Sequence, residues 1–231
     1  KWDVYRAQTE LTADLLAEYD EFQRYAARMA DCSGVLLFGW DTQPETGETR
    51  LRLKQSRFCR CRHCATCAWR RTLAMTGRFL EALPGLMRDH PKARWVFLTL
   101  TVPNCPIEEL GETLKAMNAG WGRLVKRQEF APVLGWGRST EVTQEAKRTG
   151  YAHPHFHCLL MVPPSWFTRH YVKQSRWVEL WRDCMRLDVD PVVDVRAIKG
   201  DVMGAAAETL KTIGYSVKPE QAVADPDWFL E

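Results

Sequence analysis

Residues 94–102 read RWVFLTLTV and carry the strongest β-strand signal of the chain. β-Branched and aromatic side chains are concentrated in this stretch, and Pro91 and Pro103 flank it, which is typical of a buried strand. Outward from it, the order of strand, helix, two strands, helix, strand and helix predicts an α+β fold. We expect a central antiparallel sheet with a hairpin at its centre and helices on one face. Predicted helices cover residues 11–30, 69–88, 106–130, 168–187 and 202–217, and predicted strands cover residues 34–40, 94–102, 133–143, 151–162 and 191–198.

The composition is that of a folded protein. The 231 residues are 45% hydrophobic and 11% aromatic, with ten Trp, which allows one sizeable core and argues against disorder. No apolar run reaches the roughly 18–20 residues that a membrane span needs. Lys1 to Glu10 is polar and no apolar stretch follows it, so we expect no secretory signal. These features predict a cytoplasmic protein with no membrane partner.

Positive charge is concentrated in one block. Residues 50–80 contain no Asp or Glu, whereas a solvated surface normally mixes both signs, so the block indicates a polyanionic partner. The alternative is a basic exposed face with no partner. The cations of the block are Arg50, Arg52, Lys54, Arg57, Arg60, Arg62, Arg70, Arg71 and Arg78.

A cysteine cluster lies inside the basic block. Of eight cysteines, Cys59, Cys61, Cys64 and Cys67 fall within nine residues, and without a secretory signal this clustering favours metal binding over disulfides. Zn²⁺ in structural sites takes four tetrahedral ligands, and Cys59 and Cys61 are close enough in sequence to strain that geometry. Such a site would link the N-terminal helical region to the basic block, or contact DNA. The candidates for the fourth position are Cys32, Cys61 and His63.

The segment His153-Pro154-His155-Phe156-His157 lies in a predicted strand. Alternate side chains of a strand face opposite ways, so His155 and His157 share one face and can bind one divalent metal ion. Glu141 lies in the preceding predicted strand and reaches the same face if the two strands pair. Two His and one carboxylate leave coordination positions open for water or phosphate. The alternative is a pair of ordinary half-buried histidines; His153 is expected to support the site or to contact DNA.

A polar stripe marks the last predicted helix. Glu208, Lys211, Tyr215 and Lys218 recur at spacings of three, four and three, which places them on one helical face. A phenol is a poor nucleophile at its free pKa of about 10, and a nearby ammonium such as Lys218 favours the phenolate. On its own, the stripe favours a solvated polar face. In combination with the histidine hairpin, it indicates an activated tyrosine beside a metal.

Three motifs stand in a fixed order: residues 97–101 (FLTLT), residues 153–157 (HPHFH) and residues 215–218 (YSVK). In this order the chain resembles the HUH endonuclease superfamily, and within it the rolling-circle replication initiator (Rep) proteins of small bacterial plasmids. Residues 58–71, 135–163 and 171–198 are also similar to that family, so the resemblance covers about residues 30–218.

The resemblance implies a metal-dependent nickase. His155 and His157, with Glu141 as the third ligand, would bind Mn²⁺ or Mg²⁺, and histidine ligands favour Mn²⁺. Tyr215 would attack an origin DNA phosphate, leaving a 5′-phosphotyrosine and a free 3′-OH primer, and Lys218 would assist near that phosphate. The same site could rejoin strands at termination. Related initiators use a glutamate one turn before the tyrosine to activate water; here Lys211 lies there, so the candidate is Glu208.

The resemblance also implies an organisation and partners. It favours Cys32 as the fourth zinc ligand. It assigns residues 1–88 to an N-terminal helical zinc-binding module, residues 89–219 to the HUH catalytic domain and residues 220–231 to a C-terminal tail. The expected partners are origin DNA, single-stranded or as a hairpin at the nick site, and the host helicase and polymerase. The expected DNA-contacting residues are Arg60, Arg62, Arg70, Arg71 and His153.

Two other functions remain as alternatives. A transposase or relaxase of the HUH superfamily would share the motifs, but the cysteine cluster and residues 177–196 argue against it. A zinc-dependent DNA-binding protein without enzymatic activity would leave the histidine hairpin and Tyr215 without a shared purpose. Formation of a covalent protein–DNA adduct separates this last alternative from a nickase.

Overall fold

The computed structural model describes residues 1–145, 147–199 and 224–230. Short 3-10 turns at Asp20–Phe22 and Ile107–Glu109 precede the second and fourth helices. The helices are α1 (Trp2–Ala17), α2 (Gln23–Ala30), α3 (Ala65–Asp89), α4 (Leu110–Leu124), α5 (Gln174–Met185) and α6 (Pro226–Leu230), and the strands are β1 (Leu36–Thr42), β2 (Thr49–Ser56), β3 (Arg94–Thr101), β4 (Cys105–Pro106), β5 (Gly135–Gln144), β6 (Tyr151–Val162) and β7 (Val193–Ile198).

The central sheet has the strand order β5-β6-β3-β7, with every neighbouring pair antiparallel. The two-residue strand β4 pairs with the start of β6 beyond the end of β3. The predicted α+β fold with an antiparallel sheet is confirmed, and so are the strand at residues 94–101 and the β5–β6 hairpin. The expected position of the hairpin at the sheet centre is wrong: among the described residues β5 is an edge strand, and only β6 lies inside the sheet.

The main core fills the space between one face of the sheet and helices α4 and α5. Leu98, Phe156 and Leu160 project from the strands into this layer, and all three are fully buried. Trp177 and Trp181 of α5 are fully buried against them, and the Trp181 indole N–H donates to the Thr101 carbonyl at 2.7 Å. This hydrogen bond satisfies a buried donor and ties α5 to the end of β3.

Helix α3 packs on the opposite face of the sheet. Trp95, Leu159 and Met161 are buried there, and the partly buried side chains that pack on them come largely from the C-terminal half of α3. Because alternate residues of β6 share a face, this is also the face of His155 and His157. Helix α3 therefore packs on the half of this face that lies away from the histidines. The α3 contacts are Met75, Phe79, Leu83 and Leu86.

The N-terminal region differs from the prediction of one helix over residues 11–30. Helix α1 begins at Trp2 and ends at Ala17, and α2 follows after the turn at residues 20–22. Ala13 and Met29 belong to one buried cluster, which a straight helix would separate by about 24 Å at 1.5 Å per residue. The chain folds back so that both helices bury the same cluster; Tyr19 and Phe22 continue the helical spacing through the turn and hide it in the sequence.

Other boundaries also shift. Strand β2 was not predicted, since its Arg and Lys residues mask a strand that pairs with β1 and is largely exposed. Helix α4 is shorter than residues 106–130, and α5 begins at Gln174 rather than at residue 168. The predicted helix at residues 202–217 lies outside the described residues. Among the described residues, no helix has the length and apolarity required to cross a membrane.

Candidate active site

The β5–β6 hairpin brings one carboxylate and two imidazoles together. The strand register places Glu141 directly opposite His155, and His157 follows two residues later on the same face. Oε2 of Glu141 lies 3.0 Å from Nε2 of His155 and 2.9 Å from Nε2 of His157. The three side chains are 11–14% exposed, so the group is largely shielded but still reachable from solvent. The structure therefore brings together the three residues that the sequence marked as metal ligands.

Neighbouring groups hold the imidazoles in place. Nδ1 of His155 lies 3.2 Å from the carbonyl oxygen of His153. A proton on Nδ1 that donates to this carbonyl would leave the Nε2 lone pair available to a metal ion. The Phe97 ring stacks on the His157 ring with their centroids 5.5 Å apart. Metal-binding histidines commonly have such partners, because a fixed tautomer and ring plane make the nitrogen a better ligand.

The three side chains fit a divalent cation. Both ring nitrogens of His155 face oxygen acceptors, and a neutral imidazole can donate from only one of them. A cation between Nε2 and the carboxylate removes this conflict. Hydrogen bonds from His155 and then from His157 hold the pKa of the Glu141 carboxyl well below its usual range, so the carboxylate is charged and ready to bind a cation.

Strand pairing along β6 is interrupted next to the site. The β3 ladder along β6 ends at His155, and the β4 ladder covers only Tyr151 and Ala152. Pro154 lies in this gap, where its missing N–H costs no hydrogen bond on the β3 side. The loop between β3 and β4 carries Asn104, whose side-chain oxygen bonds with Nδ1 of His153. His153 thus lies beside the three ligands but is held by Asn104 and is not one of them.

Sequence reasoning missed three neighbours of the site. Asn104 holds His153, as described. Asp194 and Arg196 of β7 pair with Thr99 and with the Phe97 position of β3, so both lie on the histidine face, where they form an ion pair at 2.7 Å. The alternation of charged and apolar residues along residues 193–196 was the available signal, but it does not reveal which strand lies beside β7.

A second group of ligand atoms joins the N-terminal helices to α3. The sulfur atoms of Cys32, Cys59, Cys64 and Cys67 all lie within 4.8 Å of one another, and all four residues are buried. Sulfur separations are 3.7 Å for Cys32–Cys67, 3.7 Å for Cys59–Cys67 and 3.5 Å for Cys32–Cys64. A zinc tetrahedron with Zn–S bonds of about 2.3 Å places its sulfurs about 3.8 Å apart. The four thiols therefore fit structural Zn²⁺.

Local backbone geometry supports a charged cluster. Backbone N–H groups of Cys59, Arg60, Cys61 and Cys67 donate to cluster sulfurs at 3.3–3.5 Å. Hydrogen bonds with Cys32 and Cys59 hold the pKa of the Cys64 thiol well below its usual range, whereas the hydrogen bond with Cys32 holds the pKa of the Cys59 thiol well above its usual range. Several thiolates in one buried place repel each other unless a cation lies between them.

The two competitors for the fourth position lie elsewhere. Cys61 is buried, but its thiol is directed at the Cys59 carbonyl oxygen at 3.8 Å, and its sulfur is outside the group of four. The His63 ring contacts the Phe229 ring of α6 edge-on, with centroids 5.1 Å apart. The geometry thus favours Cys32, as the resemblance implied.

The other residues named from the sequence divide into two groups. Arg60, Arg70 and Arg71 line one cavity beside the cysteine cluster, whereas Arg62 is exposed and does not line it. Tyr215, Lys218 and Glu208 lie outside the described residues. The segment assigned to a C-terminal tail contains α6, whose Trp228 is buried against Cys105 and Val142.

Comparison with known proteins identifies relatives. Residues 50–231 match a protein family described as "Replication protein". "Protein rep" of Bacillus amyloliquefaciens is 35% identical over 224 residues, which cover 92% of this chain and 64% of the relative. "Protein rep" of Streptococcus pneumoniae serotype 2 is 33% identical over 211 residues, 90% of this chain and 64% of the relative. "Protein rep" of Staphylococcus aureus is 34% identical over 172 residues, 73% and 72% of the two chains.

The chain spans about 64% of the length of the first two of these relatives. No solved structure matches it.

Proposed function

Because this chain belongs to the replication protein (Rep) family, we propose that it is a plasmid rolling-circle replication initiator that nicks origin DNA with a tyrosine nucleophile. Its fold would be that of the HUH endonucleases, and it would act in the bacterial cytoplasm with the host helicase and polymerase. The observation that carries this proposal is the convergence of His155, His157 and Glu141 on one face of the sheet.

The chemistry follows from the residue types. A divalent ion held by His155, His157 and Glu141, Mn²⁺ in preference to Mg²⁺, would polarise the scissile phosphate. The Tyr215 phenolate oxygen forms a bond to phosphorus while the bond from phosphorus to the 3′-oxygen breaks, and that oxygen takes up a proton to become the 3′-OH primer. The Lys218 ammonium stabilises the phenolate before attack. Attack by a 3′-OH on the phosphotyrosine reverses the step and rejoins the strand.

The proposal is tested with an adduct assay on Glu141→Gln. We expect the variant to lose covalent adduct formation with single-stranded origin DNA in Mn²⁺ by at least about 100-fold. Loss of an outer partner of a metal ligand already costs 10- to 100-fold, and here a ligand itself becomes a neutral amide. The measurement is the rate of adduct formation on a denaturing gel, together with Mn²⁺ affinity by calorimetry.

The matched control is Glu112→Gln, which neutralises an exposed carboxylate of α4 that pairs with Lys115. It should form the adduct at the wild-type rate and bind Mn²⁺ equally well. The proposed function is wrong if wild-type protein forms no adduct on any origin substrate. The assigned metal centre is wrong if Glu141→Gln and Glu112→Gln behave alike.

Glu208→Gln tests the termination step separately. We expect the variant to form the adduct normally and to resolve it at least about 100-fold more slowly than wild type, because a general base contributes about 10²–10⁴ to a proton transfer. The readout is the decay of isolated adduct in Mn²⁺. An unchanged decay rate would reject Glu208 as the water-activating carboxylate and leave the nicking step untouched.

A further inference from the structure

We propose, on the premise that the chain acts on origin DNA, that a cavity beside the cysteine cluster binds a phosphate group of that DNA. The cavity has a volume of about 490 Å³ and lies between the end of β2 and the first turns of α3. It is separate from the histidine face described above. Its lining residues are Ser56, Phe58, Arg60, Cys67, Arg70 and Arg71.

The cavity carries an uncompensated positive charge. Three of its six lining residues are arginines, and none of the six is acidic. The nearby Arg57 forms an ion pair with Asp31. Within the described part of the chain, Arg60, Arg70 and Arg71 form no ion pair. Three guanidinium groups around one cavity repel each other, so an anion that enters it is stabilised by all three.

Unmet hydrogen-bond donors lie at the wall of the cavity. Nε and Nη2 of Arg71 are shielded from solvent and have no partner within the described residues, and the same holds for the Ser56 hydroxyl. Buried polar groups without a partner are unfavourable, and a guanidinium edge matches two oxygens of a phosphate. Because these atoms are shielded, the proposal requires a side-chain rotation in the cavity wall that exposes them to the phosphate.

Two further arginines are positioned by contacts that do not use the N–H donors of their side chains. The Arg70 guanidinium lies over the Phe58 ring at 3.6 Å from its centroid, which engages its flat face and leaves the N–H groups of its edge available. Arg60 adopts a left-handed backbone conformation with φ of 60°, which is uncommon for a residue with a side chain. The backbone N–H of Arg60 donates to Cys67 Sγ at 3.3 Å. This hydrogen bond to the cysteine cluster fixes the backbone from which the Arg60 side chain projects.

Helix α3 connects the cavity to the histidine face of the sheet. Arg70 and Arg71 lie in its second turn, and Phe79 and Leu83 pack on the sheet beside the histidines. The helix rise of 1.5 Å per residue separates these contacts by about 12–20 Å along the helix axis. A phosphate bound in the cavity would therefore belong to origin DNA near the nick site. Helix α3 would hold that DNA at a fixed distance from the phosphate that Tyr215 attacks.

Binding without catalysis tests this assignment. Labelled origin duplex is titrated with zinc-loaded protein in the absence of Mn²⁺ and Mg²⁺, with fluorescence anisotropy as the readout. We expect Arg71→Gln to weaken binding about tenfold or more and to reduce the slope of log K against log salt by about 0.9, the value for one phosphate contact. Arg71→Lys should keep the slope and recover part of the affinity, since it keeps the charge and loses the fork.

Two further variants and a matched control complete the test. Arg70→Gln and Ser56→Ala should each weaken binding while zinc content stays at the wild-type value. Arg24→Gln removes one exposed charge from α2 and should leave both the affinity and the slope at wild-type values. Competition with inorganic phosphate and with a mononucleotide distinguishes free phosphate from DNA.

Three results would overturn the assignment. Cavity variants that retain zinc and bind DNA like wild type would reject it. So would an Arg71→Gln protein that loses zinc with unchanged DNA affinity, because Arg71 would then serve the nearby Cys67 sulfur. Loss of inorganic phosphate binding alone would assign the cavity to a free anion. Wild-type protein that binds through Arg71 but forms no adduct would reject the nickase and keep the cavity.

Discussion

Tyr215→Phe is expected to abolish the covalent DNA adduct, with a fall in nicking rate of about 10⁴-fold or more. The phenol oxygen would form the bond to phosphorus, and phenylalanine has no atom that can replace it. Losses of this size follow removal of the nucleophile in other enzymes with covalent intermediates. The measurement is adduct formation with 5′-labelled and 3′-labelled origin DNA, which also shows that the protein stays on the 5′ side of the nick.

The control for this variant is Tyr171→Phe, which removes a hydroxyl from an exposed tyrosine in the loop before α5. It should form the adduct at the wild-type rate. Tyr215→Phe should still bind Mn²⁺ and DNA like wild type, because the metal ligands lie on β5 and β6. An adduct that forms equally well in Tyr215→Phe would assign the nucleophile to another residue.

Cys64→Ser is expected to release about one Zn²⁺ per chain and to unfold the N-terminal region. Structural zinc in small sites contributes roughly 10–16 kcal/mol of apparent binding free energy, and much of it is folding free energy. Cys64 has all three other sulfurs as neighbours and also caps the N-terminus of α3 through the Cys67 N–H. We expect the free energy of unfolding to fall by about 3–5 kcal/mol, measured by denaturant titration beside metal analysis.

Cys61→Ser is the matched control, since Cys61 is buried two residues from Cys59 but lies outside the group of four. It should retain zinc and most of its stability. Cys32→Ser should lose zinc as Cys64→Ser does. The opposite pattern, with zinc lost from Cys61→Ser and retained in Cys32→Ser, would give the fourth position to Cys61.

The local sequence pattern was sufficient to predict features that repeat regularly within one helix or strand. The period of two residues in β6 correctly placed His155 and His157 on one face, and the strand at residues 94–101 was predicted almost to its ends. The partner across the hairpin was harder, because a slip of one residue would turn Glu141 to the opposite face. The pairing of Glu141 with His155 depends on the residue at which β6 begins after β5.

Local pattern failed where the chain reverses without a strong turn signal. Tyr19 and Phe22 continue the helical spacing between α1 and α2, so periodicity alone joined two helices into one. The strand β2 was missed for a related reason: it is largely exposed, and an exposed strand lacks the alternation that burial produces.

By itself, the sequence determined which reactive groups the chain carries: two imidazoles and a carboxylate, clustered thiols, a basic block and a late tyrosine. These are properties of residue type and short spacing, which no fold can change. Tertiary structure decided which of them meet. It placed Cys32 beside Cys67 across 35 residues while directing Cys61 away, and it gathered Arg60, Arg70 and Arg71 around one cavity without Arg62. The physical reason is that burial of apolar faces brings distant segments together. Which polar residues then become neighbours depends on this packing, and the local sequence does not show it.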